Sequence, residues 1–524
     1  MKKDKELIAA ELADIEESRL RGELHKEEAQ QLASQVSGET QMPLAPLPEL
    51  PKWPDDALVG PKNDVPLEID FNYRALNDED RIRRAVKDME VIYASNEPPK
   101  MPKQIPRFVK AYLWNTPSHF LSGYSQAGFP AAATLMDDVT FKHPNNLYYP
   151  AKLNAQVVGD SGVGKNGLPF IFNTLLADLM VESHENMERE VEIKEQNSLL
   201  GNNSKRKAQP KDLIQRIVFP NTTTPALAYQ MKQNHGLPCF MEAKEIEDLY
   251  CFKNGAGGIS PLVLLREADD RDGMIRQRRV GEKSVTVDVP LFLNYCVSTT
   301  PEGAQDFFKR DMLKGALNRQ EVAYIPPQLI GGEEPEYKVY DERYARRLQP
   351  FIDNLRMAKE HADDKGQIVC KQAIALHKQL KSECAAYVQT TFDRTWDNLT
   401  HRGLTHAFLK ACVLYIANGC KWEPAIETFI RFSFHYCLWS KLHVFGNKIR
   451  EAEKKVQYSK PGKPNLLLLI TSNIFTINDT VTMRKNQGMD DSISATKNMI
   501  NVWVNRGWVR RLFDGRFEKL EYKH

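Results

Sequence analysis

No stretch of this 524-residue chain is apolar for long enough to cross a bilayer; its apolar runs are short, as at 411–417, and its first residues are charged where a secretory leader would be apolar. A membrane-spanning chain is not expected, and a cytoplasmic location is. Paired cysteines are missing too. The eight cysteines include no C-x-x-C spacing, and Cys239 and Cys296 lie in apolar strand-like runs, so disulfides and zinc ligands give way to reduced core thiols. Charge of one sign is also scarce: 71 Lys and Arg against 69 Asp and Glu leave a net +2, so an argument for nucleic acid must rest on local clusters. A composition 42% hydrophobic and 27% charged is that of a globular protein, and this length calls for two or three domains.

What is present is concentrated at 156–166, QVVGDSGVGKN. Gly159, Gly162 and Gly164 have the spacing of a phosphate-binding loop, with Asp160, Ser161 and Val163 between them and Lys165 where the loop needs its cation. Glycines let the backbone turn its N–H groups toward a triphosphate, Lys165 reaches the outer phosphates, and a helix N-terminus behind adds its dipole. A strand-like run at 153–158 leads in and a helical one at 168–180 leads out. The hydroxyl that normally follows the lysine to hold Mg²⁺ is replaced by Asn166, whose amide oxygen coordinates more weakly and leans on waters and a carboxylate from a second strand. The competing interpretation is a glycine-rich turn without a ligand.

Around this loop the chain divides by composition. Residues 1–42 form an amphipathic helical arm with Ile8, Leu12 and Ile15 at helical spacing, and 43–70 a Pro-rich linker. A helical collar is expected over 71–149 and the core over 150–330, with a surface loop at 196–211 and strand-like runs at 217–219, 237–241, 284–289, 291–298 and 321–325. Strands alternating with helices predict an α/β core, a mostly parallel sheet with helices on both faces. A helical lid domain follows over 340–457. Residues 462–524 read as three helices and a hairpin turning at Asp514-Gly515, the pattern of a winged helix.

Hydrolysis needs carboxylates beside the loop, and 239–249 supplies Glu242, Glu245, Glu247 and Asp248; strand-end Glu242 and Glu245 fit catalysis, with Glu242 the metal candidate, and the other two fit a solvated helix start. Ser298 and Thr299 end the next core strand and are placed to sense a γ-phosphate, although a plain strand-to-loop transition looks the same. Arg319 precedes the last strand as a finger toward a neighbouring subunit; Arg310 is its rival, and either also fits a surface arginine. For DNA, Arg276, Arg278, Arg279 and Lys283 lie on one basic loop, and Lys497, Arg506, Arg510, Arg511 and Arg516 on the winged helix and its wing. A charged hairpin facing water and a protein-binding winged helix remain the alternatives.

In this order the motifs resemble the helicase-like P-loop ATPase domain associated with primases of phages, plasmids and mobile elements, related to ring-forming replicative ATPases. The resemblance covers about residues 100–450. It rests on GDSGVGKN at 159–166, the Thr-Thr-Thr-Pro run ending at Pro225, the acid-bearing run with Glu245-Ile246, Ser298-Thr-Thr-Pro301, and Leu317-Asn-Arg319. It implies ATP and Mg²⁺ as cofactors, hydrolysis at the subunit interfaces of a hexamer-like homo-oligomer, single-stranded or forked DNA as partner, Glu245 as catalytic acid and Arg319 as finger. The chain departs from the family at Lys244, where an acid or Thr usually precedes the Glu, and at Gln320, where an aromatic follows the Arg. No primase region is visible ahead of the core, so a separate primase is expected.

Overall fold

The structure is a computed structural model that describes residues 67–199, 213–253, 258–277, 287–312, 315–328, 336, 338–391, 393–458, 466–505, 508–512 and 514–520. The arm expected at 1–42 and most of the linker lie outside these residues. Among them no helix is long and apolar enough to cross a membrane.

Five strands make the central sheet: β1 (Asn154–Val158), β2 (Ile217–Val218), β3 (Cys239–Ala243), β4 (Leu293–Thr299) and β5 (Val322–Tyr324), in the order β2-β3-β4-β1-β5 with every pair parallel. This is the α/β core. β1 is buried at every position, as a strand covered on both faces must be. Its register is set at the lower end by two buried amides. Asn154 donates to the Arg319 carbonyl (2.9 Å) and accepts from the Glu321 N–H (2.9 Å), while Asn294 of β4 accepts from the Leu153 N–H (2.8 Å). The upper ends consequently finish level, Val158 opposite both Thr299 and Tyr324.

Helix α1 (Asp78–Ala94) is capped by Asn77 and buries Ala85, Met89 and Ile92 along one stripe. Helix α2 (Leu121–Thr134) is buried at all but one position, because it lies against the sheet rather than in a collar beside it. The collar region also contains strands Thr140–Lys142 and Tyr148–Pro150, and the first pairs in parallel with Gln367–Ile368, so 340–457 is not helical throughout. After the loop come α3 (Leu168–Leu175) and α4 (Ala177–Leu199); α4 carries helix into the segment expected as a surface loop from 196. The strand expected at 284–289 belongs elsewhere as well. Val287–Pro290 pairs antiparallel with Met274–Gln277 in a hairpin outside the core sheet, following α5 (Pro261–Asp269).

Beyond α6 (Pro301–Phe308) and β5, the helices α7 (Glu342–Arg356), α8 (Lys371–Thr391), α9 (Arg394–Ala417) and α10 (Pro424–Tyr458) pack together and onto the core. Glu383 of α8 is the internal tie. Its carboxylate is wholly buried between Arg81 of α1 (2.9 Å) and Arg431 of α10 (2.5 Å). The C-terminal unit places Ile477–Asn486 and Ile493–Asn505 beside a three-stranded sheet of Ile474–Phe475, Phe517–Lys519 and Val509–Arg511. Phe475, Met483, Ile500, Trp503, Val509 and Phe517 close its own apolar cluster. Only Leu466–Leu469 of the helix expected from 466 to 474 is helical; Ile474 and Phe475 instead join the hairpin that turns at Gly515 (φ 80°).

Removing one partner from a buried ion pair leaves an uncompensated charge, at a cost of about 3 kcal/mol or more. Glu383→Gln takes the shared buried carboxylate from two guanidinium groups and leaves Arg81 with exposed Asp78 and Arg431 with Glu427 (3.4 Å), so the variant should melt at a lower temperature than the parent. A parental melting curve would show that Asp78 and Glu427 compensate the two arginines on their own.

Candidate functional site

Apolar β1 runs upward and stops at Gly159, where a Cβ would lie 2.8 Å from Val163 Cγ1 and 3.2 Å from the Ile325 carbonyl oxygen, so the turn has no room for a side chain. Gly162 (φ 79°) and Gly164 (φ 93°) are left-handed, a conformation open to glycine at little cost. Asp160, Ser161 and Gly162 form an exposed rim, and Val163 is buried beneath it. A tight turn, Lys165–Gly167, then opens α3, whose first turn contains proline.

Lys165 folds over this turn. Its ammonium donates to the carbonyls of Gly159 (2.5 Å), Thr299 (3.0 Å) and, at 3.3 Å, Asp160. Burial lowers its pKa, while the charges of Glu245 and Asp160 pull the other way, which places Glu245 within electrostatic reach of the ammonium. The cation thus sits where the upper ends of β1 and β4 meet. Asn166 is exposed on the same turn, and Glu245 is exposed just beyond β3.

Several expected residues are elsewhere. Glu242 is not at the loop. It pairs with Cys296, which pairs with Ala155, so it lies three residues, or about 10 Å, below the end of β1. There it lines a cavity of about 320 Å³ with Met180, His184, Met187 and Phe240, and burial raises its pKa against the pull of Lys244. Register is the reason: β3 ends at Ala243 opposite Val297, two residues short of the level reached by β1 and β4. Ser298 is half-buried opposite Val157. Thr299 serves through its carbonyl, which receives the Gly159 N–H (3.1 Å) as well as Lys165, while its hydroxyl bonds the Thr300 carbonyl. Thr300 caps α6.

Arg319 is at the opposite end of the sheet, where its carbonyl meets Asn154 at the start of β1, so it cannot serve its own loop. Its guanidinium is engaged by Asp270 (3.0 Å) and Asp269 (3.7 Å), which Arg402 of α9 shares at 2.7 and 3.4 Å. His406 bridges Asp269 (2.5 Å) and Glu321 (3.0 Å), and Lys410 closes on Glu321 at 2.7 Å. Rival Arg310 is exposed. On the basic hairpin, exposed Arg276 pairs with Asp288 at 3.0 Å, while Arg278, Arg279 and Lys283 lie outside the described residues. In the C-terminal unit Lys497 is exposed, Arg510 pairs with Glu518, Arg511 with Asn501 and Arg516 with Asp514; Arg506 is outside the described residues.

Tyr124 has no signal in the sequence, yet its hydroxyl touches both sides of the lysine turn, donating to the Gly164 carbonyl (2.6 Å) and accepting from the Gly167 N–H (3.1 Å). It sits 35 residues ahead of Gly159 in an apolar helix, and only the fold brings the two together.

No protein-family model matches the chain, and no curated protein matches it. A solved structure described as "SCCmec type IV Cch - active helicase" overlaps 82% of this chain and 73% of its own, at 14% identity and a TM-score of 0.33. So loose a superposition carries no argument, and the reading of the site rests on its own geometry.

His406 gives a pH dependence. Burial opposes its charge, but Asp269 and Glu321 outweigh burial and raise its pKa from 6.5 to about 9. The stabilisation is complete below about pH 6.5 and is lost as pH rises through about 9. Unfolding midpoints measured across this window should fall for the parent and lose that slope in His406→Gln; equal slopes would remove His406 as the source.

Proposed function

We propose that the chain is a P-loop ATPase acting on DNA, a motor of the replicative-helicase type from a phage or mobile element. The observation that carries this is the Lys165 ammonium held at the junction of β1 and β4, over a glycine turn that opens a helix, with Glu245 within its field. A triphosphate entering there exchanges the neutral carbonyls around Lys165 for charged phosphate oxygens, which are stronger partners. ATP is the proposed substrate. Asn166 and Glu245 are proposed to help hold Mg²⁺, and Glu242, about 10 Å below the end of β1, is no longer proposed for that role. Glu245 is the proposed catalytic acid, and Thr299 ties the loop to the neighbouring strand.

DNA is proposed as partner from two places. The hairpin of Met274–Gln277 and Val287–Pro290 buries Ile275 and Val287 and presents Arg276 on its exposed side, where a phosphate backbone would compete with Asp288 for it. The C-terminal unit is proposed as a winged helix, with Lys497 on its third helix and Arg510, Arg511 and Arg516 on its wing. Because Arg319 lies at the far end of the sheet, its use as a finger requires a neighbouring copy, and a hexamer-like ring supplies one; a separate primase is proposed for priming. The region over 340–457 is proposed as the lid. Beside the motor stand an initiator or loader ATPase that binds DNA through the winged helix without unwinding, and a nucleotide-gated scaffold with little turnover; one observation favours the scaffold, since Arg319 is already engaged by Asp269 and Asp270 within its own chain.

The test is nucleotide binding and turnover, with and without single-stranded DNA, followed by strand displacement on a forked duplex. Lys165→Ala should lose ATP binding at least a hundredfold while melting like the parent, and the parent's turnover should rise with DNA. A Lys165→Ala variant that binds ATP as the parent does would end the reading. Binding without DNA-stimulated turnover selects the scaffold.

A further inference from the structure

Glycine gives the phosphate loop freedom it must then lose. Gly162 and Gly164 are both left-handed, the rim is exposed, and neither the Lys165–Gly167 turn nor α3 has a side-chain cap of its own. A peptide beside glycine can rotate, and only one orientation of it presents an N–H to a phosphate. Something outside the loop has to select that orientation.

We propose that Tyr124 is the positioning residue of this nucleotide site, its hydroxyl locking the peptides on both sides of Lys165-Asn166. The inference rests on the phosphate-loop reading above and adds the device that sets the loop's shape. The Tyr124 O–H donates to the Gly164 carbonyl at 2.6 Å. In a trans peptide the C=O and the following N–H point in opposite directions, so this bond turns the Lys165 N–H away from Tyr124 and toward the loop's open side. The same oxygen accepts the Gly167 N–H at 3.1 Å, satisfying one of the donors that a helix start leaves without a partner. The N–H groups of Lys165 and Asn166, between these two bonds, are left to face an anion.

Tyr124 is itself rigid. It is fully buried, and its ring stacks on Phe120 with centroids 5.5 Å apart. Two residues on, Gln126 accepts from Lys410 (2.9 Å) of α9 and Ser433 (2.6 Å) of α10, so α2 is anchored to the helices as well as to the sheet. The hydroxyl is therefore a fixed point.

The experiment compares Tyr124→Phe with Tyr344→Phe, which deletes another buried hydroxyl, one bonded to the Tyr112 carbonyl at 2.8 Å rather than to the loop. Affinity for a fluorescent ATP analogue is measured by titration, and melting temperature beside it. Tyr124→Phe should weaken binding about tenfold, and Tyr344→Phe should bind as the parent does even where both melt lower. Parental affinity in Tyr124→Phe, or equal weakening in both, overturns the proposal. Should Tyr124→Phe fail to fold, amide exchange in the native chain decides: without nucleotide the Gly167 N–H should exchange slowly and the Lys165 and Asn166 N–H groups quickly, with nucleotide slowing only the latter two. A fast Gly167 amide overturns the proposal. Lys165→Ala separates the two levels: if it binds as the parent does, the phosphate-loop reading falls and takes this inference with it, whereas loss there beside parental affinity in Tyr124→Phe removes this inference alone.

Discussion

The register between β1 and β4 is the constraint on which the site depends. Lys165 reaches across to the Thr299 carbonyl only because β4 ends level with β1, and Gly159 donates its N–H to that same carbonyl. The register is fixed at the other end of the strands. Asn154 and Asn294 are fully enclosed: Asn154 spends its amide on backbone groups at the strand starts, and Asn294 accepts the Leu153 N–H and donates to the Thr134 hydroxyl (3.1 Å). A slip by one residue would strand those amides without partners and turn every side chain of β1 to the opposite face. Polar groups in the least polar part of the molecule thus decide the geometry of a loop at its surface.

The lower end of the sheet also holds a cluster of charge, with Glu321, His406 and Lys410 buried in it and Asp270 and Arg402 partly exposed at its edge. Asp269, Asp270 and Glu321 face Arg319, Arg402, His406 and Lys410, with Lys441 donating to the Asn318 carbonyl beside them. Glu321 is held well below the usual carboxylate range: burial works against its charge, and Lys410 and His406 overcome burial. Such a cluster need not add stability over an apolar core of equal volume. It does fix orientation, because each charge has a partner on a different element. α5 contributes the aspartates, the approach to β5 contributes Arg319 and Glu321, and α9 contributes Arg402, His406 and Lys410. The basic hairpin begins four residues after Asp270, so its stem rises directly from this cluster.

What the sequence makes legible is what is local. Three glycines and a lysine at fixed spacing announce a turn from strand to helix, and a turn joins β1 to α3 there, with the left-handed φ values falling on Gly162 and Gly164. The alternation of strands and helices gives the parallel sheet for the same reason. Choosing between Glu242 and Glu245 needs a register, and a register is a property of two strands; the offset of Glu242 appears only once Cys296 is seen opposite it. Residues 284–289 look like a core strand because apolar alternation does not say which sheet a strand joins. Tyr124 leaves no trace, since one tyrosine in an apolar helix reads as packing. Asp269 and Asp270 are invisible as partners of Arg319 because 49 residues separate Asp270 from it.

The position of Arg319 bears on how a motor would be timed. A guanidinium engaged by two carboxylates and the Gly315 carbonyl is not an idle finger waiting for a phosphate. To leave, it must exchange charge-assisted bonds of its own for new ones across an interface, and Asp270 must be left with another cation. Arg402 already bonds Asp270 at 2.7 Å, so that cation is in place. Buried Asp269 in turn keeps His406 (2.5 Å) and Arg402 (3.4 Å), so the exchange does not strand a buried charge, the step that otherwise makes such a release prohibitive. Because the aspartates end α5 and the hairpin follows them, whatever pulls on the hairpin also acts on the carboxylates that hold Arg319. Were Arg319 to serve a neighbouring copy as proposed, the connectivity of α5, rather than any property of the loop itself, would couple its release to a load on the hairpin.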